Sequence, residues 1–408
     1  MAEKNVLYIS YDGMTDPLGQ SQVIPYIQGL TKAGYRFTIL SFEKKERFLR
    51  NGAAIRALLD ASGISWEPQL FSTRPPVLSK IYDVWKMKRA VAKLHRQKKF
   101  SLVHCRSYIP ASAGLELYRK TCVPFLFDMR GFWVDERVDN GQWDLSKPLF
   151  KRAYSIYKKK EKEYLNAAGH IISLTYKGRD ELVANYRVPA NKITVIPCCA
   201  DLEHFDYQKI NAGQQQVIRQ QLGISTNDRI ITYLGSLGGW YLTGEMLDFF
   251  RVMKAKLPAA RMLFITHDPK EKILAAAAER GIQAADIIVQ PAGRNEVPGF
   301  LSVSDWSLFF IKDAYSKKAS SPTKQAEIMA MGIPLVCNDI GDTGLVIRES
   351  NAGVVVDELN DQAYARACDQ LDRLLTIPKE SIRAAARKYY DLNTGLNEFR
   401  TVYDKLTK

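Results

Sequence analysis

The segment Ser316–Pro334, SKKASSPTKQAEIMAMGIP, holds the residue types that a phosphorylated ligand needs, in a usable order. Ser320, Ser321 and Thr323 surround Pro322. Proline suits the first turn of a helix, because its fixed φ is already helical and the N–H it lacks would have no partner there. A helix is therefore expected to open at this point, with the orphan N–H groups of its first turn and the nearby hydroxyls available to an anion. Lys317, Lys318 and Lys324 bring cations to the same place, and Glu327, one turn beyond Lys324, shares its helix face. Cations and N–H groups bind phosphate, and a carboxylate accepts from two neighbouring hydroxyls, so a diphosphate joined to a diol matches the segment. The competing reading is a capped amphipathic helix whose Lys324 and Glu327 form an ordinary surface pair.

Two further segments leave strand ends with chemistry on them. Tyr11–Gln22, YDGMTDPLGQSQ, runs from a strand into a helix, and Gly19 lacks a Cβ where backbone could approach a phosphate, although a plain turn would use it equally well. Phe127–Arg137, FDMRGFWVDER, concentrates Asp128, Arg130, Asp135 and Glu136 beside Phe132 and Trp133. Ions that pair with hydroxyls next to a ring that stacks on a sugar face make a sugar-binding site, and a surface ion cluster is the alternative. His104 falls on a strand and reads as a core histidine.

These residues must be positioned by repeated βα units. Short apolar runs at Val6–Ser10, Phe37–Phe42, near Ile64, Leu102–Cys105, Phe125–Asp128 and Ile171–Leu174 alternate with helix-length amphipathic stretches. The rhythm resumes at Ile230–Gly235, Met262–Thr266, Ile287–Val289, Trp306–Ile311, Leu335–Cys337 and Val354–Val356. Parallel strands covered by helices on both faces read this way, so the class is α/β with two doubly wound sheets. A chain of 408 residues exceeds one ordinary core, which agrees. The polar stretch between Pro197 and Asn227 separates the halves, giving domains at 1–200 and 201–390. Residues 391–408, with Leu396, Phe399, Val402, Tyr403 and Leu406 at helical spacing, form a last helix that could return to the first domain.

Hydrophobic content of 46% with 25% charged residues is that of an ordinary globular protein. The start of the chain runs straight into a strand pattern without a signal-peptide core, and no run is long and apolar enough to span a bilayer, so a cytoplasmic location is expected. The six cysteines are scattered and read as reduced thiols. The net charge of +14 fits a nucleic acid, an anionic membrane surface or a phosphate-bearing substrate. Lys86–Lys99 and Lys151–Lys162 are the densest basic stretches, and with Trp85, Tyr154 and Tyr157 beside them they fit either a solvated helix face or peripheral contact with the inner membrane face. No nucleic-acid motif accompanies the charge, so nucleic acid is not expected as a partner. No Gly-x-Gly-x-x-Gly follows a strand, and there is neither a Gly-Lys-Ser/Thr phosphate loop nor an Asp-x-Asp pair. No metal and no cofactor are expected.

The segment around Glu327 resembles the retaining family-4 glycosyltransferases of GT-B fold. Their C-terminal domain carries Glu-x7-Glu running into Met-Ala-x-Gly-x-Pro, and Glu327 with Ile328-Met-Ala-Met-Gly-Ile-Pro334 matches the second glutamate and its tail. The resemblance extends to the Gly19 loop, Val195–Asp201 with Phe205, Tyr233-Leu-Gly-Ser-Leu237, and Val297–Leu301. It implies two Rossmann-like domains facing across a cleft, a nucleoside diphosphate sugar as donor, and Glu327 on the donor ribose. Ala319 stands where the family has its first glutamate, Cys198-Cys199 replaces the usual Asn-Gly, and Ser236-Leu-Gly-Gly-Trp-Tyr241 lacks the usual Arg and Lys. Diphosphate binding then shifts onto Lys318 and Lys324, helped by Ser236, Ser320, Ser321 and Thr323.

The expectation is a metal-independent transfer of a hexosyl-type unit, with retention, to a glycan or lipid-linked acceptor in cell-envelope or exopolysaccharide synthesis. Lys324, Glu327 and Arg130 are the catalytic candidates, Arg130 standing near the position where many relatives have a histidine. Asp128, Arg130, Trp133, Asp135 and Glu136 form the acceptor side. A sugar-nucleotide epimerase or hydrolase of the same fold and a non-catalytic basic binding protein remain as alternatives.

Overall fold

The computed structural model describes residues 4–407. Met1–Glu3 and Lys408, the outermost residues of the expected domains, lie outside the described residues. The chain divides at Pro197/Cys198 and again at Leu392/Asn393 into two compact units. The terminal helix Leu392–Leu406 thus falls almost wholly in the first.

The first unit holds strands β1 (Asn5–Ser10), β2 (Arg36–Glu43), β3 (Ser65–Leu70), β4 (Leu102–Arg106), β5 (Phe125–Asp128), β6 (His170–Ser173) and β7 (Ile193–Val195). They form one seven-stranded sheet in the order β3-β2-β1-β4-β5-β6-β7. All its pairs are parallel, and Val6 lies opposite Phe37 on one side and Leu102 on the other. Every residue of β4, β5 and β6 is buried, which explains their apolar runs: helices cover both faces. The second unit holds β8 (Arg229–Leu234), β9 (Ala260–Ile265), β10 (Ile287–Gln290), β11 (Trp306–Phe309), β12 (Leu335–Asn338) and β13 (Gly353–Val356). Their order is β10-β9-β8-β11-β12-β13, again parallel throughout.

Two doubly wound sheets are what the strand rhythm predicts. The structure differs in detail. Ile193–Val195 is a strand that three residues before Pro197 do not announce, the strand expected near Ile64 starts at Ser65, and β11 ends at Phe309, with Ile311 bridging to Tyr241 instead.

The order reverses between β1 and β4 in one sheet and between β8 and β11 in the other. At such a reversal the following loops part in opposite directions and leave a crevice beyond the carboxyl ends of the strands. The loops after β1, β4, β5, β8 and β11 therefore decide what each unit can bind.

Candidate functional site

In the second unit the helix expected near Pro322 spans Thr323–Ala330, with proline as its N-cap. Its far end explains the Met-Ala-Met-Gly-Ile-Pro sequence: Gly332 takes φ +66°, a left-handed conformation that stops the helix and turns the chain into β12. Arg383 holds that end by donating to the carbonyls of Ala330 (2.7 Å), Leu202 (2.7 Å) and Phe205 (2.6 Å). Asn338 pairs with both the N–H (2.9 Å) and the carbonyl (2.7 Å) of Ile311, fixing where β11 releases the chain.

Lys324 is buried and points to β8. Its ammonium donates to the Tyr233 hydroxyl at 2.9 Å and lies 4.1 Å from the centre of the Tyr233 ring and 3.4 Å from that of Tyr241. Gly235, at φ +106°, gives it room, since a Cβ there would stand 3.1 Å from Nζ. Burial drives the Lys324 pKa well below the ordinary lysine range, against the opposing pull of Glu327. Burial likewise raises Glu327, opposed by Arg294 and Lys324. Arg294 lies 3.9 Å from the Glu327 carboxylate. Lys324 thus hydrogen-bonds to an aromatic cage, and the surface-pair reading does not describe it.

The loop after β8 supplies that cage. Leu237 N–H donates to Asp268 at 2.6 Å, and Asp268 is itself held by the Thr266 hydroxyl at 2.9 Å. Ser236 is exposed and contributes its carbonyl to the Tyr233 hydroxyl. Trp240 lies under the ammonium of Lys317, 3.8 Å from the ring centre, and Lys317 is buried. Lys318 instead is exposed, 5.2 Å from the Tyr315 ring, so of the neighbouring lysines it is Lys317 that meets the loop carrying Tyr241. The Ser321 hydroxyl accepts from the Cys198 N–H at 3.1 Å, Ser320 and Thr323 are half-buried, and Ala319 is buried with no side chain to reach out.

In the first unit Asp128 ends β5, and Arg106 ends β4 beside it, both buried. Arg106 lies 3.9 Å from Asp128 and 3.6 Å from Asp12, which follows β1. Arg130 lies 3.9 Å from Asp128 and adopts φ +58°, a left-handed conformation costly for a side chain with a Cβ. His104 reaches Asp128 with Nε2 (3.4 Å) and the Tyr403 hydroxyl with Nδ1 (2.6 Å). Burial pushes Asp128 up, yet Arg130, the His104 hydrogen bond and Arg106 hold it below the usual carboxylate range. His104 is held down by its own burial, against Asp128. A small cavity in this unit is lined by Tyr8, His104, Asp128, Arg130 and Tyr403. Among the described residues, Nε and Nη1 of Arg106 and Oδ1 of Asp128 are buried without a hydrogen-bond partner. Leaving such groups unmatched is costly, and ligand hydroxyls are what would match them.

The remaining acceptor-side candidates sit differently. The Asp135 carboxylate accepts from the Tyr154 hydroxyl (2.8 Å) and Lys158 (2.9 Å), so it faces the Pro148–Ala167 helix. Trp133 packs among Tyr108, Trp143 and Tyr157 with Arg137 over its ring, which makes it part of an aromatic cluster within the unit. Glu136 is half-buried and follows Asp135 on the short Trp133–Asp139 helix. The space beside Gly19 is filled by its own loop: a Cβ would stand 2.2 Å from the Gly13 carbonyl. That loop is organised by buried Glu43, which accepts from the Met14 and Thr15 N–H groups (2.8 and 3.1 Å).

Sequence reasoning passed over Arg106, Glu43, Arg294 and the aromatic trio Tyr233, Trp240 and Tyr241. For Arg106 and Glu43 a signal exists, since each is a lone charge closing an apolar strand at its carboxyl end. Trp240 and Tyr241 were visible only as residues standing where cations were expected.

Residues 21–204 match the model described as "Glycosyltransferase Family 4", and residues 214–389 match "Glycosyl transferases group 1". Among curated proteins the chain is 20% identical over 303 residues to a D-inositol 3-phosphate glycosyltransferase of Rhodococcus opacus, covering 71% of this chain and 64% of that one. Among solved structures it is similar to a glycosyltransferase from Rickettsia africae (TM-score 0.73, 17% identity, 100% of both chains). Anabaena HepE in complex with UDP is also similar (TM-score 0.71, 14% identity, 98% of this chain and 100% of that one).

Proposed function

Because the chain belongs to the glycosyltransferases described by these two models, we propose that it moves a sugar from a nucleoside diphosphate sugar to an acceptor hydroxyl. The observation that carries this reading is Lys324: a buried lysine at the sheet reversal of the second unit, in the first turn of the Thr323–Ala330 helix. In the donor complex Lys324 and that helix end bind the diphosphate, Thr323 and Ser320 add hydroxyl donors, and Glu327 accepts from the ribose diol. As the glycosidic bond breaks, charge builds on the departing phosphate, and a pre-placed ammonium in a dry cage stabilises it without reorganisation. The residues in place accomplish this without a metal, and retention follows from attack on the face the leaving group vacates. Lys317 and Lys318 add positive field.

On the other unit Asp128, Arg106 and Arg130 bind the acceptor. The unmatched buried atoms of Asp128 and Arg106 support this, because a carboxylate and a guanidinium together satisfy a run of sugar hydroxyls. Trp133 and Asp135 hold the wall behind them. The acceptor is a glycan or lipid-linked sugar of the cell envelope, presented at the inner membrane face.

Thermal denaturation against a panel of nucleotide sugars tests the reading. UDP and UDP-glucose come first, since HepE was crystallised with each. A ligand at a hundred times its Kd adds about 2.7 kcal/mol, enough for a clear rise in Tm. No stabilisation by any of them, or stabilisation that Lys324→Met leaves intact, overturns the donor site. Turnover of donor without acceptor would point to an epimerase or hydrolase.

A further inference from the structure

The Pro76–Lys98 helix carries two apolar stripes, and packing needs only one. Met87, Val91 and Leu94 are buried inside the unit. On the opposite side Leu78, Ile81, Tyr82 and Trp85 recur at helical spacing and are 62%, 61%, 52% and 48% exposed. Tyr82 and Trp85 stack on each other outside the fold, ring centres 5.5 Å apart. Continued along the helix at about 100° per residue, the same line meets Arg89, Lys93 and Arg96, all exposed. Arg89 lies 4.7 Å from the Trp85 ring. The outer face is thus apolar at one end and cationic at the other.

Three other cations of this helix are occupied inside the unit. Lys86 donates to the Leu70 carbonyl (2.6 Å), Lys88 pairs with Glu116 (2.9 Å), and Lys98 donates to the Thr38 hydroxyl (3.1 Å). The contact expected of Lys86–Lys99 as a block therefore moves toward the helix start. The Pro148–Ala167 helix repeats the design, with exposed Leu149 and Ile156 interleaved with exposed Arg152 and Lys160. Lys88–Glu116 and Arg119–Glu163 (3.2 Å) tie these two helices to Tyr108–Thr121 between them, so both stripes belong to one helical layer.

We propose that this layer docks on an anionic lipid bilayer, Leu78, Ile81, Tyr82 and Trp85 entering the headgroup–acyl boundary while Arg89 and Lys93 pair with lipid phosphates. Charge complementarity selects this partner: tyrosine and tryptophan sit at the level where hydrocarbon meets headgroups, and the cations lie on the same face. A nucleic acid would leave the aliphatic side chains uncovered. The proposal deepens the membrane part of the function above and is independent of the donor site, because vesicle binding is measured without donor.

The test is co-sedimentation of the full chain with phosphatidylcholine vesicles made with and without phosphatidylglycerol. The chain is expected to bind the anionic vesicles and not the neutral ones. Arg89→Gln with Lys93→Gln should weaken binding about fivefold per cation removed. Ile81→Ser with Trp85→Ser should weaken it at least as much. All variants should keep the parent's slow hydrogen exchange across residues 4–197, which shows the first unit folded. Binding to both vesicle types alike, binding to neither, or variants that bind like the parent overturns the proposal. So does sedimentation velocity in which the parent self-associates and the Ile81/Trp85 variant does not, which would assign the face to a second copy.

Discussion

Lys324 carries the donor reading because its surroundings make it costly in the empty protein and useful only with an anion. The depressed pKa has two consequences of opposite sign. Without ligand, the unfolded chain holds a proton at this side chain that the folded chain resists. Its contribution to stability is therefore present above the unfolded-state pKa and lost as pH falls through the lower folded-state value. Lys324→Met keeps the length and removes the charge, so the ligand-free variant should be at least as stable as the parent at neutral pH. Donor binding runs the other way, since a diphosphate favours the ammonium. Affinity should fall as pH rises past the depressed value, and binding there should take up a proton. Calorimetry in buffers of different protonation heat measures that uptake, and Lys324→Met should abolish it while weakening UDP binding about 10- to 100-fold. Glu327 faces a different part of the ligand. Glu327→Gln should weaken UDP about tenfold and leave inorganic pyrophosphate unchanged, whereas equal loss for both ligands would mean that it serves the phosphates.

The element that matters most is the Thr323–Ala330 helix, whose position is set at its far end. Arg383 is buried and gathers carbonyls from Ala330, Leu202 and Phe205, neutralising the negative end of a short helix and holding the chain that enters the unit. Arg383→Met strands all of these acceptors. It should cost about 3–5 kcal/mol in urea denaturation, and UDP should restore part of the loss by binding the native form. A change below about 1 kcal/mol would mean that water replaces the guanidinium without strain. The helix itself was legible from sequence, because proline at its start and glycine after its end are local signals. So were the strands, whose burial on both faces leaves continuous apolar runs. Tyr233 and Tyr241 around Lys324, and Trp240 under Lys317, were not, since nothing in the spacing of β8 and its loop says that these rings meet lysines roughly 80 to 90 positions later. Asp135 and Trp133 illustrate the converse. Their types suit a sugar site, but Tyr154 and Lys158 on one side and Tyr157 on the other claim them from a helix that composition cannot place.

At the scale of the molecule the first unit is discontinuous: the chain leaves it at Pro197, builds the whole second unit, and returns at Asn393 to finish it. The returning helix is structural for β1 and β4. Phe399, Val402 and Tyr403 are buried, Tyr403 packs edge-on against Tyr35 and accepts or donates at His104, and Leu396 sits where a Cβ on Gly29 would stand. Through His104 this helix also bears on Asp128, so the proposed acceptor side depends on residues nearly 300 positions away. Ending the chain at Leu392 should expose an apolar face and leave Nδ1 of His104 without its Tyr403 partner. Losses of about 3–5 kcal/mol for a buried aromatic residue, taken over Phe399 and Tyr403 together, reach the whole stability of an ordinary domain. The first unit should then unfold while the second, complete in itself, keeps its transition. Calorimetry of the truncated chain should show one transition retained, with UDP still raising it. Hydrogen exchange should become fast across residues 4–197 and stay protected in 198–392. Tyr403→Phe is the graded control: it removes one hydrogen bond, should cost only about 1 kcal/mol, and should weaken acceptor turnover more than donor binding. Uniform protection in the truncated chain would show that strands β1–β7 form a stable sheet on their own and that the return of the chain serves some other end.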